Sequence, residues 1–366
     1  MQELKLLSVP LKVVGDVDLV KPLNTVLKGK SYPPSVSASL ASLQALRTRM
    51  VAVIKGAEVS DAALEVMQSY YDQLGYLETK IPFNQAKIYF KWLDAFDKGG
   101  WLGGTVAYTM STSLLYEKAC VLFNVAAIST KLAAAQDLGE EDGLRRATQL
   151  LQSAAGVFSA MTAPLPADCT EQKPTPDLSA DCLEALSSLC LAQAQDCVLR
   201  KAVRDQKKAG VVAKLAAHAK VLYLQTNLGL GRESVRSMWE RDWMSTLEKR
   251  ASLCRGLAEL HQASVCQEQG KWGERIARLR VAKASLASVP EWLAKAETAL
   301  AEAVKDNEFI YHDREPDAEQ LEPVAAAAVV KATPLPERWR PGEADLFKEM
   351  PAWADVKLKR EECVVS

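Results

Sequence analysis

Residues 198–223 read VLRKAVRDQKKAGVVAKLAAHAKVLY, and the way this stretch is divided decides the fold. Its apolar residues recur at three- and four-residue spacing, which predicts two helices, near 178–207 and 209–227, meeting in a short connection. Val211, Val212, Leu215, Ala216, Ala219 and Leu222 make an apolar stripe, while Arg200, Lys201, Arg204, Lys207, Lys208, Lys214 and Lys220 give a local basic excess. Two readings fit. One is a helix with a buried face and a solvated face. The other is a groove with an apolar floor and a basic rim, suited to an amphipathic helix carrying acidic flanks.

The same period runs outward from Val36 to Lys305, with helices predicted near 36–55, 59–79, 106–136, 141–161, 232–269, 272–286 and 289–306 as well. Long helices on short connections pack as antiparallel neighbours, and a series of them builds a solenoid; GKWGERIARLRVAKASL, residues 270–286, has the same hairpin texture. Two stretches break the pattern. Leu6–Val14 and Ala86–Trp92 are rich in strand-forming residues and predict a small sheet beside the helical body. Pro164, Pro166, Pro174 and Pro176 mark a surface loop, and beyond Pro316 the chain turns proline-rich and irregular, so that it should lie along the body.

With 48% hydrophobic and 25% charged residues over 366 positions, the chain can bury a sizeable core. Its 45 Lys and Arg balance 46 Asp and Glu, so bulk charge gives no reason to expect nucleic-acid binding. Lys5, Pro10, Lys12 and Asp16 interrupt the N-terminal apolar run, which argues against a secretory signal, and no stretch approaches the roughly 20 apolar residues a bilayer needs. A soluble, cytosolic protein is expected. Eight cysteines include no C-x-x-C pair, and with three histidines they predict neither a metal site nor a cofactor; Cys182, Cys190 and Cys197 read as reduced, buried thiols.

Catalytic readings fail in turn. Gly229-Leu230-Gly231 lacks the third glycine and the preceding strand of a dinucleotide loop. Gly99-Gly100-Trp101-Leu102-Gly103-Gly104 lacks the lysine and hydroxyl of a phosphate loop; it reads as a glycine-flanked loop that either packs Trp101 and Leu102 back on the body or exposes them to a partner or membrane. His218 shares a helical face with Val211 and Leu215 and reads as a wall residue. No catalytic residue is assigned.

Five stretches carry a resemblance: FKWLDAFDKG (90–99), YEKACVLFN (116–124), LAQAQ (191–195), KDNEFIYHDR (305–314) and VKATP (330–334). In this order, from about Leu6 to Met350, they resemble the Bro1 domains of the Alix family. The resemblance implies a mainly α, curved, banana-shaped domain over residues 1–350, with a TPR-like helical-hairpin solenoid core and a small β-sheet. The irregular segment from about 316 is part of it, and 351–366 form a divergent tail.

It also implies a non-enzymatic adaptor of the ESCRT pathway, cytoplasmic and recruited to endosomal membranes. Its concave groove would take the C-terminal amphipathic helix of ESCRT-III charged multivesicular body protein 4. By position, the family's apolar groove residues fall on Val198, Val211 and Leu215 and its polar contacts on Glu141 and Arg145, with Lys201 at the rim. Departures are conservative except one: Glu141 replaces an aspartate, Arg145 a lysine and Val211 an isoleucine, but Val198 replaces a phenylalanine. Trp101 and Leu102 match an apolar loop implicated in membrane contact, and Tyr311 a tyrosine that kinases modify. The coiled-coil and proline-rich parts of longer family members have no counterpart here, so their YPxL-type and proline-rich-tail partners are not expected. The final CVVS fits the prenylation rule at Cys363 or is a chance ending. An alternative role is a prenyl-anchored membrane-surface or regulatory protein that competes with longer relatives.

Overall fold

The computed structural model describes residues 5–30, 32–78, 80–97, 108–163, 165 and 175–353. Its contacts separate into two compact units: Val9–Lys131, Ala160–Leu183 and Pro334–Ser366 form one, and Met1–Ser8, Leu132–Ser159 and Glu184–Thr333 the other. Among the described residues the architecture is mainly α, as the periodicity predicts, with one small two-stranded sheet.

The first unit holds α1 (Val20–Leu27), α2 (Ser35–Lys55), α3 (Asp61–Leu77), the single turn α4 (Phe83–Ala86), β1 (Phe90–Trp92), β2 (Thr109–Ser111) and most of α5 (Leu114–Ala134). α3 starts where its sequence says it should: Ser60 Oγ accepts from the Ala63 amide at 3.0 Å, and Asp61 sits in the positive first turn. β1 and β2 pair antiparallel, Phe90 opposite Ser111 and Trp92 opposite Thr109. The sequence predicts residues 109–111 inside a helix starting near 106; instead Ser111 Oγ accepts from the Ser113 amide at 3.0 Å, a local bond that competes with helix, and α5 begins at Leu114. Of the expected strand Leu6–Val14, only Val14 makes a bridge, to Trp92.

The rest of that N-terminal segment is extended but paired with side chains rather than with a strand. Asn124 on α5 accepts from the Lys12 amide at 2.7 Å and donates to the Lys12 carbonyl at 3.0 Å. Gln73 on α3 does the same for the C-terminal segment, accepting from Leu346 and donating to the Ala344 carbonyl, each at 3.0 Å. A carboxamide carries one acceptor and a donor side by side, so it satisfies an extended backbone that crosses a helix much as a neighbouring strand would.

At the centre of this unit Glu117 on α5 is fully buried. Arg47 Nε donates to its Oε1 at 3.1 Å, Tyr70 Oη to the same oxygen at 3.0 Å, and Trp92 Nε1 to Oε2 at 2.6 Å.

The second unit stacks α6 (Glu141–Ala160), α7 (Ala180–Arg204), α8 (Ala209–Leu230), α9 (Arg241–Glu268), α10 (Trp272–Ser285) and α11 (Pro290–Asp306). Each runs antiparallel to the one before. Ser187 on α7 donates to the Ala155 carbonyl late in α6, while Lys201 near the end of α7 pairs with Glu141 at the start of α6. Asn227 of α8 meets Glu248 of α9, Arg278 of α10 meets Glu259 of α9, and Lys283 of α10 meets Glu297 of α11. The α7–α8 turn closes with Gln206 in the left-handed region at φ 50°, its amide bonded to the Val203 carbonyl and that of Lys207 to Ala202. This is the Schellman arrangement, made without its usual glycine, and it ends α7 at Arg204 rather than near 207. α9 also starts later than expected, because Trp239 Nε1 donates to the Leu230 carbonyl at 2.9 Å and folds residues 232–240 back over the end of α8.

His261 on α9 meets the Trp292 ring of α11 edge-on, with centroids 6.3 Å apart. Burial, helped by the Lys295 charge, lowers its pKa from 6.5 to about 4. A neutral ring suits the folded state, so its contribution is present above about pH 6.5 and is lost as the pH falls towards 4. At 1.36 kcal/mol per pH unit, unfolding free energy should drop by about 3 kcal/mol across that window on this account alone. Urea titrations between pH 7 and 4 should show His261→Gln without that part of the decline; an unchanged slope would contradict the assignment.

Candidate functional site

α7 lies between α6 and α8 and is nearly all core. From Cys182 to Leu199 its residues that are not buried are Glu184, Ser188, Leu191 and Val198, a single line at helical spacing in which position 195 is the missing member. Lys201 and Asp205 continue the same side. The facing edge of α8 carries Val211, 46% exposed, with His218 and Leu222 half-buried and Leu215 at 5%. Val212, Ala216 and Ala219 from the predicted stripe point into the core instead, at 0–1%. Four of the six stripe residues are therefore core, Leu215 among them, and Val211 and Leu222 are left at an open edge.

The rim is ordered by ion pairs. Lys201 Nζ donates to Glu141 Oε1 at 2.7 Å and to Asp205 Oδ2 at 2.6 Å, and Arg204 lies 3.5 Å from Glu141 Oε2 while donating to the Gly139 carbonyl at 3.3 Å. The Lys201 hydrogen bonds hold the Glu141 and Asp205 carboxyls below their usual range, and those carboxylates in turn raise Lys201. These groups are exposed, so the network orients side chains more than it stabilises the fold. Arg145 is 66% exposed on its side chain and pairs only locally, with Asp142 at 2.6 Å. Lys207, Lys208 and Lys214 stand exposed near the α8 N-terminus. Burial lowers the pKa of His218, as befits a wall residue.

The structure thus brings Glu141 and Lys201 into contact and sets Val198, Val211 and Leu215 along adjacent α7 and α8 edges. Tyr311 ends a π-helical turn, Asn307–Tyr311, and stacks on Trp272 with centroids 3.7 Å apart; it remains 41% exposed. Trp101, Leu102 and Cys363 lie outside the described residues.

Sequence reasoning missed two components. Gln195, 0% exposed, fills the gap in the α7 line: its Nε2 donates to the Leu215 and Ala327 carbonyls, each at 3.2 Å. Ala327 belongs to an extended strap that crosses this face, its amide donating to the Lys214 carbonyl at 3.0 Å. The LAQAQ motif was visible, but nothing local says that Gln193 clamps Leu7 while Gln195, two residues on, clamps a segment 132 residues away.

Cys197, behind Val198, is buried and its thiol is pushed up to about 12; Cys266 reaches about 11. Among the described residues, no group of three or more His, Cys, Asp or Glu could hold a metal ion, and no helix is long and apolar enough to cross a membrane.

Known proteins share this sequence pattern and fold. The model of the BRO1-like domain matches residues 6–354. Human programmed cell death 6-interacting protein is 35% identical over 360 residues, covering 94% of this chain and 41% of the relative. The Aspergillus fumigatus vacuolar protein-sorting protein bro1 is 33% identical over 351 residues, covering 92% of this chain and 34% of its own length. The solved ALIX Bro1 domain in complex with CHMP4C superposes with a TM-score of 0.87 at 34% identity, covering 95% of this chain and 100% of that one. The chain spans less than half the length of these curated relatives, and across nearly all its own length it belongs to the BRO1-like domain family.

Proposed function

We propose that this chain is a non-enzymatic ESCRT-associated adaptor whose groove captures the C-terminal amphipathic helix of an ESCRT-III charged multivesicular body protein 4, in endosomal sorting and membrane scission. The observation that carries the reading is the unburied line on α7: Val198 between Leu191 and Lys201, facing Val211 and Leu215 on α8. An otherwise buried helix that leaves Leu191 and Val198 open beside a basic rim offers a floor for leucine or methionine anchors and a steering field for acidic flanks. The ALIX Bro1 domain solved with CHMP4C has the same fold over its whole length, and relatives are named for vacuolar sorting, which supports both partner class and setting. Residues 1–350 would act together as the binding domain, with cytoplasmic residence and recruitment to endosomes.

The test is a calorimetric titration with a synthetic C-terminal helix of charged multivesicular body protein 4. Saturable binding is expected, and none at high micromolar peptide would end the proposal. Where the family resemblance implies a phenylalanine this chain has Val198, so Val198→Phe should tighten binding by about 1–2 kcal/mol. Unchanged affinity in that variant would remove Val198 from the contact surface, and weaker affinity would show that the floor there has no room to fill.

A further inference from the structure

The strap crosses the second unit with little to hold it. Arg278 donates to the Glu322 carbonyl at 2.9 Å, Lys214 and Gln195 bracket Ala327, and the Thr333 amide donates to the Gln152 carbonyl at 2.9 Å. Leu321, Val324, Ala327 and Val330 are half-buried while the pairs between them are exposed, the three-residue period of a polyproline-type chain. Few apolar contacts and a handful of backbone hydrogen bonds place such a segment at the low end of local stability. It passes Gln195 one helical turn, about 5 Å, from Val198, and Lys214 one turn from Val211.

Two features show that this seat is built. At Gly156 on α6 an added Cβ would stand 1.7 Å from the Thr333 carbonyl oxygen, and the three nearest atoms are all Thr333 backbone, so this glycine exists to let the strap approach. Gln195 is fully buried, yet only its nitrogen is used: unlike Asn124, Gln73 and Gln193, it leaves its Oε1 buried with no hydrogen-bond partner. Burying an unmatched acceptor is unfavourable, and a core residue selected only for packing would be apolar here.

We propose that residues 321–333 form a wall of the partner-helix groove and that Gln195 is the positioning residue that latches it beside Val198. This rests on the groove reading above. The captured helix then packs against α7, α8 and the aliphatic flank of the strap, where Ala328 and the 55%-exposed Val329 face outward. Strap position thereby contributes to affinity although the strap adds nothing to the core.

Gly156→Ala lifts the strap at one end, and Gln195→Met removes the latch at near-constant volume. Hydrogen exchange at residues 327–333 should accelerate at least tenfold in both variants, urea midpoints should stay close to wild type, and affinity for the helix peptide should fall about five- to tenfold. Faster strap exchange with unchanged or tighter binding overturns the wall, and unchanged exchange in both variants overturns the latch. The groove reading fails separately: there the wild-type chain binds no peptide, or Val211→Asp binds as well as wild type.

Discussion

Val211→Asp is expected to abolish capture of the proposed partner helix, weakening it at least about 100-fold, while the melting temperature stays within about 2 °C of wild type. Val211 is 46% exposed, so the fold gains little from it. It is the third residue of α8, where a carboxylate meets unsatisfied amides and the positive end of the helix dipole, so aspartate there is neutral or mildly favourable to the free chain. In the complex the same carboxylate would be covered by an apolar anchor, and leaving a desolvated charge under it costs several kcal/mol. An acidic partner adds repulsion. Lys208 and Lys214, three residues away on either side, can offset part of this, and Val211→Ala separates the terms by removing contact without charge. A several-fold loss is expected for alanine. Should the aspartate variant bind within threefold of wild type in calorimetry, Val211 is not in the floor and the partner lies elsewhere.

The hairpin stack was legible because its signal is local. The spacing of Val211, Leu215, His218 and Leu222 places them on one edge whatever surrounds them, and the alternation of long helical runs with short connections sets the antiparallel order. What periodicity cannot convey is which half of a stripe meets core: Val212 and Val211 are neighbours of identical chemistry, and only the position of α7 buries the first and exposes the second. Three-residue strands such as Thr109–Ser111 are set by their partners, not by propensity. The prolines from Pro316 onward place the strap along the body, but its route depends on Gly156 and Gln195, whose roles appear only when distant backbone arrives. At the rim, the family resemblance placed Glu141 as a polar contact for a partner; in the free chain it is already engaged by Lys201 and Arg204. Arg145 is likewise held, by Asp142, whereas Lys207, Lys208 and Lys214 stand exposed.

The largest stability effect should come from a residue no motif singled out as structural. Glu117→Gln is expected to destabilise the chain by about 3–5 kcal/mol, seen as a fall in melting temperature of roughly 10 °C. Glu117 gathers Arg47 from α2, Tyr70 from α3 and Trp92 from β1, and neither Glu117 nor Arg47 is more than 1% exposed on its side chain. Glutamine keeps the shape but offers one oxygen where two accept three donors, and its amide nitrogen turns another donor towards the site. Arg47 cannot shed its proton; it also donates to the Gly15 carbonyl at 3.3 Å, and that oxygen carries no charge to neutralise it. The penalty is thus that of an uncompensated buried cation, not of one lost hydrogen bond. Removing both charges tests this: Arg47→Met combined with Glu117→Leu should recover more than half of the loss, since an apolar pair incurs no desolvation even though Tyr70 and Trp92 lose their acceptor. If the single variant unfolds within about 1 kcal/mol of wild type, the cluster is dispensable. If the double variant is no better than the single, geometry rather than charge is what Glu117 supplies, namely the fixed point on which two helices and the sheet converge.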